Sequence, residues 1–200
     1  MTGDPRKIIV GISGASGSIY PKRLLGMLAE ARERGLVSDV GVVLSRTAHQ
    51  VWAHELGGDV RELGFPVFEG RNYDAPFASG SAGWGAMVVA PASMSSIARI
   101  AHGISDDLLT RAADVILKER RKLILLARET PYSGTHLENM LAVTREGAIV
   151  MPATPSFYGK PKTLEEAVDT VLARVLDHLG VEHAVARRWG EDLSTKAGAS

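Results

Sequence analysis

Arg128 and Glu129 stand directly after the run Lys122-Leu123-Ile124-Leu125-Leu126. A short run that is apolar on both faces reads as a buried parallel strand, because each side needs cover. In open α/β sheets the crevice outside the strand carboxyl ends is where ligands bind, so a cation and an acid set there are placed for chemistry. A lone Arg-Glu pair is more often an ordinary surface ion pair. Here other segments converge on the same edge.

Gly11-Ile12-Ser13-Gly14-Ala15-Ser16-Gly17-Ser18 lies between a strand and a helix. Glycines there let the backbone approach a ligand closely, and the free N–H groups of the following helix start favour an anion or a polar ring edge. The spacing G-x-x-G-x-x-G is neither the G-x-G-x-x-G dinucleotide fingerprint nor the phosphate loop, and the lysine of an ATP-binding loop is absent. Two more hydroxyl-bearing turns follow, Leu44-Ser45-Arg46-Thr47 and Pro91-Ala92-Ser93-Met94-Ser95-Ser96. Serines at such positions are also common helix caps with no ligand role. Together, helix starts and serine hydroxyls at one sheet edge suit a phosphorylated ligand with an uncharged ring, such as a flavin mononucleotide.

The elements that must position these residues alternate along the chain. Strands are expected at Lys7–Gly11, Val40–Leu44, Ala86–Ala90, Lys122–Leu126 and Ala148–Met151, with helices near 18–34, 47–56, 94–102, 106–119, 135–146 and 164–179. That alternation implies a single-domain α/β fold, Rossmann-like and three-layered, with a mainly parallel sheet between helices. Right-handed crossovers bring the strand carboxyl ends to one edge. Residues 57–85, rich in glycine with Pro66 and Pro76, read as an irregular excursion. The domain is expected over 1–193, and the small, polar stretch 194–200 as a disordered tail.

With 200 residues the chain is long enough for one well-buried domain. Lysine plus arginine equals aspartate plus glutamate, 23 against 23, so no bulk field favours nucleic acid or an anionic membrane. There is no cysteine for a disulfide, a thiolate nucleophile or a thiolate ligand, and the six histidines show no tight metal spacing. No apolar run approaches the roughly 20 residues needed to cross a bilayer, and no signal-peptide core precedes the first strand, so a cytoplasmic protein is expected.

The segments GISGASGS, LSRTA, PASMSS, LLTRAADVILKERRKLILLARETP, HLENML and PATPSFYGKP, with the late Ala173-Arg174, resemble the flavin prenyltransferase family from about residue 7 to Trp189. The resemblance implies a homo-oligomeric Rossmann-like flavoprotein, typically a dodecamer built from trimers. It implies an enzyme that joins a dimethylallyl group to N5 and C6 of reduced FMN, giving prenylated FMN for a partner decarboxylase. Carried over by motif, Gly14, Ala15, Ser16, Ser45, Ser93, Met94, Ser95, Ser96 and Arg128 contact FMN. Lys118, Tyr158 and Arg174 hold the phosphate of dimethylallyl phosphate, with Arg111 nearby and Arg128 shared. Ser16, Glu55 and Glu129 manage protons, and Lys118 completes the catalytic set. Because family sites form between subunits, these residues need not belong to one chain.

That set suits the chemistry. Allylic C–O cleavage develops a carbocation and releases phosphate, so cations must hold the growing negative charge beside an apolar space. Arginine grips phosphate in a bidentate fork, and Tyr158 adds a neutral donor. No metal is required, and the aspartate-rich magnesium motif of diphosphate-using prenyltransferases is absent; Asp106-Asp107 reads as the cap of the following helix. Bland readings stand beside these. Arg111 and Lys118, seven apart, also describe a solvated basic stripe, Arg174 a cation complementing a helix dipole, and Trp52, Trp84 and Trp189 packing or subunit contacts. Ala92 stands where many family members carry cysteine, and Ser95 where asparagine, lysine or glycine is common. The rivals are an FMN-dependent cysteine-type decarboxylase, whose serine loop carries an asparagine that PASMSS lacks, and a non-catalytic FMN carrier subunit.

Overall fold

The computed structural model describes residues 3–185. The elements run β1 (Asp4–Ile12), α1 (Ile19–Glu33), β2 (Asp39–Leu44), α2 (Ala48–Leu56), β3 (Val67–Glu69), β4 (Trp84–Ala92), α3 (Met94–Ala101), α4 (Leu108–Lys118), β5 (Lys122–Ala127), α5 (Gly134–Arg145), β6 (Ile149–Pro152) and α6 (Leu164–Leu179). All six strands are parallel, in the order β3-β2-β1-β4-β5-β6. The α/β fold and the parallel sheet expected from the alternation are present. The sheet has one strand more than expected, because β3 is only three residues long and lies inside the stretch read as irregular.

Strand side chains alternate between two apolar layers. Ile8, Val10 and Ile12 of β1 face α1 and α6, where Leu24, Leu28, Leu172 and Val175 meet them. Ile9 faces the other way, toward Ile97 of α3, Leu109 and Ala112 of α4 and Val143 of α5. In β5, Leu123 and Leu125 join the second layer while Ile124 and Leu126 join the first, which is why that run carries no polar face. Each such buried side chain contributes on the order of 1.5–3 kcal/mol.

Sequence-coded caps start the helices. Asp107 accepts the Thr110 N–H at 2.8 Å to open α4, and Ser133 and Thr163 do the same for α5 and α6. Asp106 is not part of the cap; its carboxylate pairs with Arg99 at 2.8 Å. The excursion before β4 is held to the sheet by Phe77, 1% exposed. Its ring occupies the place of a side chain on β2, since a Cβ at Gly41 would come within 2.7 Å of it. Phe68 and Trp84 meet Phe77 edge to face at 5.2 and 5.4 Å. Trp52 and Trp84 are buried, whereas Trp189 and the expected tail 194–200 lie outside the described residues.

From β1 the chain crosses to β2 and β3 on one side, then returns to β4 on the other. The connections after β1 and β4 therefore diverge, and a crevice opens between them at the carboxyl edge.

Candidate functional site

Ser13, one residue past β1, joins the two diverging connections. Its hydroxyl donates to the Pro91 carbonyl at 2.6 Å and accepts the Ser93 N–H at 2.8 Å. The glycine loop then passes under the start of α2. A Cβ on Gly14 would lie 2.0 Å from Thr47 Oγ1, so only glycine permits this approach. Gly17 takes φ 119°, a conformation that other residues rarely adopt.

Glu55, on the last turn of α2, clamps that loop. Its carboxylate accepts the Gly17 N–H at 3.0 and 3.1 Å and the Ser18 N–H at 2.7 Å. Burial pushes its pKa up, but hydrogen bonds from the Ser16 hydroxyl and from the Ser18 and Gly17 amides outweigh it and bring the carboxyl down to about 2. Glu55 is therefore a carboxylate at neutral pH.

A cleft of 640 Å³ opens beside the loop, lined on its inner side by Gly14, Ser45, Thr47, Ser93, Ser95 and Ser96. Ser93 caps α3 by accepting the Ser96 N–H and donates its own hydroxyl to Ser96 Oγ at 3.0 Å. Ser45, 8% exposed, has a hydroxyl with no hydrogen-bond partner. The α2 helix beside it begins at Thr47 without a side-chain cap. A buried orphan hydroxyl next to an uncapped helix start is a donor set awaiting an anion. Arg46, Arg71 and Arg99 reach the cleft from its outer side, where Asp106 and Asp107 neutralise Arg99.

Arg128 and Glu129 follow β5 at the same edge, both exposed. The Arg128 N–H donates to the Ala92 carbonyl at 3.3 Å, tying the end of β5 to that of β4. Tyr20, in the first turn of α1, donates to the Ala153 carbonyl at 3.2 Å, and burial raises its phenol above the ordinary range against the pull of the Arg128 guanidinium. The structure thus brings Gly14, Ala15, Ser16, Ser45, Glu55, the Ser93 to Ser96 turn, Arg128 and Glu129 to one edge of one chain.

The other expected residues are elsewhere. Helix α4 runs away from that edge, so Lys118 at its end stands about 16 Å along the axis from its start. There it pairs with Glu119, whose carboxylate lies against Gly80 on the turn that leads into β4. Arg111, one turn into α4, donates to the Ala78 carbonyl at 3.2 Å and pairs with Asp114. Arg174, near the last turns of α6, pairs with Asp177. Tyr158 stands 84% exposed on the loop after β6. Ser13, Thr47 and Tyr20 carry no functional signal of their own in the sequence. Ser13 gains its place only once β4 lies beside β1, and Tyr20 only once the loop after β6 reaches α1.

A crevice at the switch point of a parallel sheet, rimmed by a close-approach glycine loop and serine-rich helix starts, defines the site of a nucleotide-type flavin binder, and a family model described as Flavoprotein matches residues 2–176. The UbiX flavin prenyltransferase of Methanothermobacter thermautotrophicus is 44% identical over 192 residues, covering 94% of this chain and 98% of that protein. The one from Methanocaldococcus jannaschii is 44% identical over 187 residues, covering 92% and 98%. The chain belongs to the UbiX flavin prenyltransferase family. Among solved structures, AnUbiX (PadA1) in complex with FMN and dimethylallyl pyrophosphate superimposes with a TM-score of 0.84 at 38% identity, covering 91% of this chain and 96% of that one. A dodecameric FMN-dependent UbiX-like decarboxylase from Escherichia coli O157:H7 gives 0.84 at 40%, covering 91% and 98%. The cysteine decarboxylase TvaF, at 20% identity and a TM-score of 0.60, shares the fold alone.

Proposed function

We propose that this protein transfers the dimethylallyl group of dimethylallyl phosphate to N5 and C6 of reduced FMN, and that the prenylated FMN serves a partner decarboxylase. The observation that carries the reading is the cleft at the switch point, where the residues fit FMN. Ser45 holds a buried hydroxyl without a partner, and Gly14 lines the same cleft. Reduced FMN supplies the nucleophilic N5 and C6 when bound. Gly14, Ala15, Ser16 and the Ser93 to Ser96 turn, Met94 included, line the flavin, Ser45 and the α2 start take its phosphate, and Arg128 flanks the ring.

Protons are handled by the side chains beside the glycine loop and after β5. The ionised Glu55 accepts through the Ser16 hydroxyl. Glu129, one residue beyond Arg128, shares in managing protons around the flavin N5 and the departing phosphate. Lys118, Arg111, Tyr158 and Arg174 hold that phosphate as its charge develops, with Arg128 shared, and no metal is called for.

Within one chain Lys118 ends α4 on the sheet edge opposite Arg128 and Glu129, so the donor site takes its cations from more than one copy. A homo-oligomer, a dodecamer like the relative from Escherichia coli O157:H7, supplies them. No helix among the described residues is long and apolar enough to cross a membrane, and a cytoplasmic place of action belongs to the same proposal.

The test is anaerobic incubation of the protein with reduced FMN and dimethylallyl phosphate, followed by the mass of the released flavin. A gain of one five-carbon prenyl unit, lost in Glu129→Gln while FMN still binds, is the expected result. Flavin of unchanged mass that stays bound would instead mark a carrier.

A further inference from the structure

Past Leu179 the chain reverses at Gly180, φ 77°, and buries Val181 against the first apolar layer. The reversal lays His183 beside the last turn of α6. Its Nδ1 accepts the Val185 N–H at 3.3 Å, so that nitrogen carries no proton. The proton is therefore on Nε2, which donates to Asp177 Oδ1 at 3.1 Å. Asp177 Oδ2 in turn accepts from Arg174 Nη1. The His183 side chain is 6% exposed and that of Arg174 64%, so a fixed interior group grips an exposed cation through one carboxylate.

An Arg-Asp pair three residues apart on a helix is by itself a weak surface contact. Here its carboxylate is also held from outside the helix by a buried imidazole whose tautomer is set. That third member fixes the direction of the guanidinium.

We infer that Asp177 and His183 are positioning residues for Arg174. They hold Nη1 and leave Nε and Nη2, which make no hydrogen bond to the described residues, as the edge offered to the donor phosphate. The inference rests on the reading above that Arg174 binds that phosphate. A free arginine loses much of its rotamer freedom when it grips an anion, whereas one already held loses less. Asp177 also repels the phosphate, but the Arg174 side chain is exposed and the high dielectric of water there weakens that repulsion. Pre-alignment is the larger effect.

Dimethylallyl phosphate is titrated into protein loaded with oxidised FMN, so that binding is read without turnover. Asp177→Ala weakens the donor about 10-fold and His183→Phe about 3-fold, while FMN affinity stays that of the parent. In turnover both variants raise KM and keep kcat. His183→Gln, whose amide donates as Nε2 does, restores the affinity and serves if the phenylalanine variant does not fold. In the Arg174→Ala background, Asp177→Ala adds no further loss. Unchanged or tighter donor binding in Asp177→Ala would overturn the inference and make Asp177 a competitor for the guanidinium. An equal loss in both backgrounds would overturn it too, as would a loss in Asp177→Ala with none in His183→Phe. If Arg174→Ala alone leaves donor affinity unchanged, the phosphate reading of Arg174 is what has failed.

Discussion

Replacing Glu55 by glutamine removes a carboxylate from the one place where it holds the glycine loop, and the structure sets the size of the effect. A pKa lowered from 4.5 to about 2 corresponds, at 1.36 kcal/mol per tenfold in proton affinity, to about 3 kcal/mol favouring the folded state. The carboxylate is largely solvent-accessible, so screening reduces this to about 1–2 kcal/mol. Because the folded pKa is the depressed one, this stability is fully present above about 4.5 and is lost as pH falls from there toward about 2. Urea unfolding of Glu55→Gln and the parent at pH 7 should differ by about 1–2 kcal/mol, or roughly 2–8 °C in Tm for a chain of this size. Below pH 4.5 the two curves should converge. A difference that stays constant from pH 7 to pH 3, or none at pH 7, would refute the claim that the charged carboxylate holds Gly17 and Ser18.

Ser45→Ala should weaken FMN binding about 10- to 100-fold, read by quenching of flavin fluorescence, because a charge-assisted hydrogen bond is worth about 1.5–3 kcal/mol. Its apo Tm should hardly move, since the Ser45 hydroxyl has no partner in the protein itself. Lys118→Ala and Glu129→Gln should each bind FMN and each lose prenyl transfer. Unfolded together and refolded as mixed oligomers, they should recover part of the activity, because some sites then draw an intact Lys118 and an intact Glu129 from different copies. No recovery on mixing would place both groups in one chain's site.

Much of the architecture is legible because it depends on local patterns. The run Lys122 to Leu126 is apolar on both faces because helices cover both, and the caps Asp107, Ser133 and Thr163 announce their helices. β3 escapes because three residues are too few for a period to show. The fit of Phe77 over Gly41 is invisible because it joins positions that only sheet assembly brings together. The same holds for the clamp, where Glu55 meets amides 37 and 38 residues earlier. Lys118 and Arg128 sit close in sequence, yet the turn and the strand between them put them on opposite edges of the sheet. Residue types named the chemistry, while the direction of α4 decided which groups a single copy brings together.

The most direct measurement is a single turnover under anaerobic conditions, counting inorganic phosphate released and flavin mass gained in the same sample. The account predicts one phosphate for each flavin that gains a five-carbon unit, and neither product with oxidised FMN. Phosphate released without a change in flavin mass would contradict it, since the cleft would then be hydrolysing the donor instead of transferring its prenyl group.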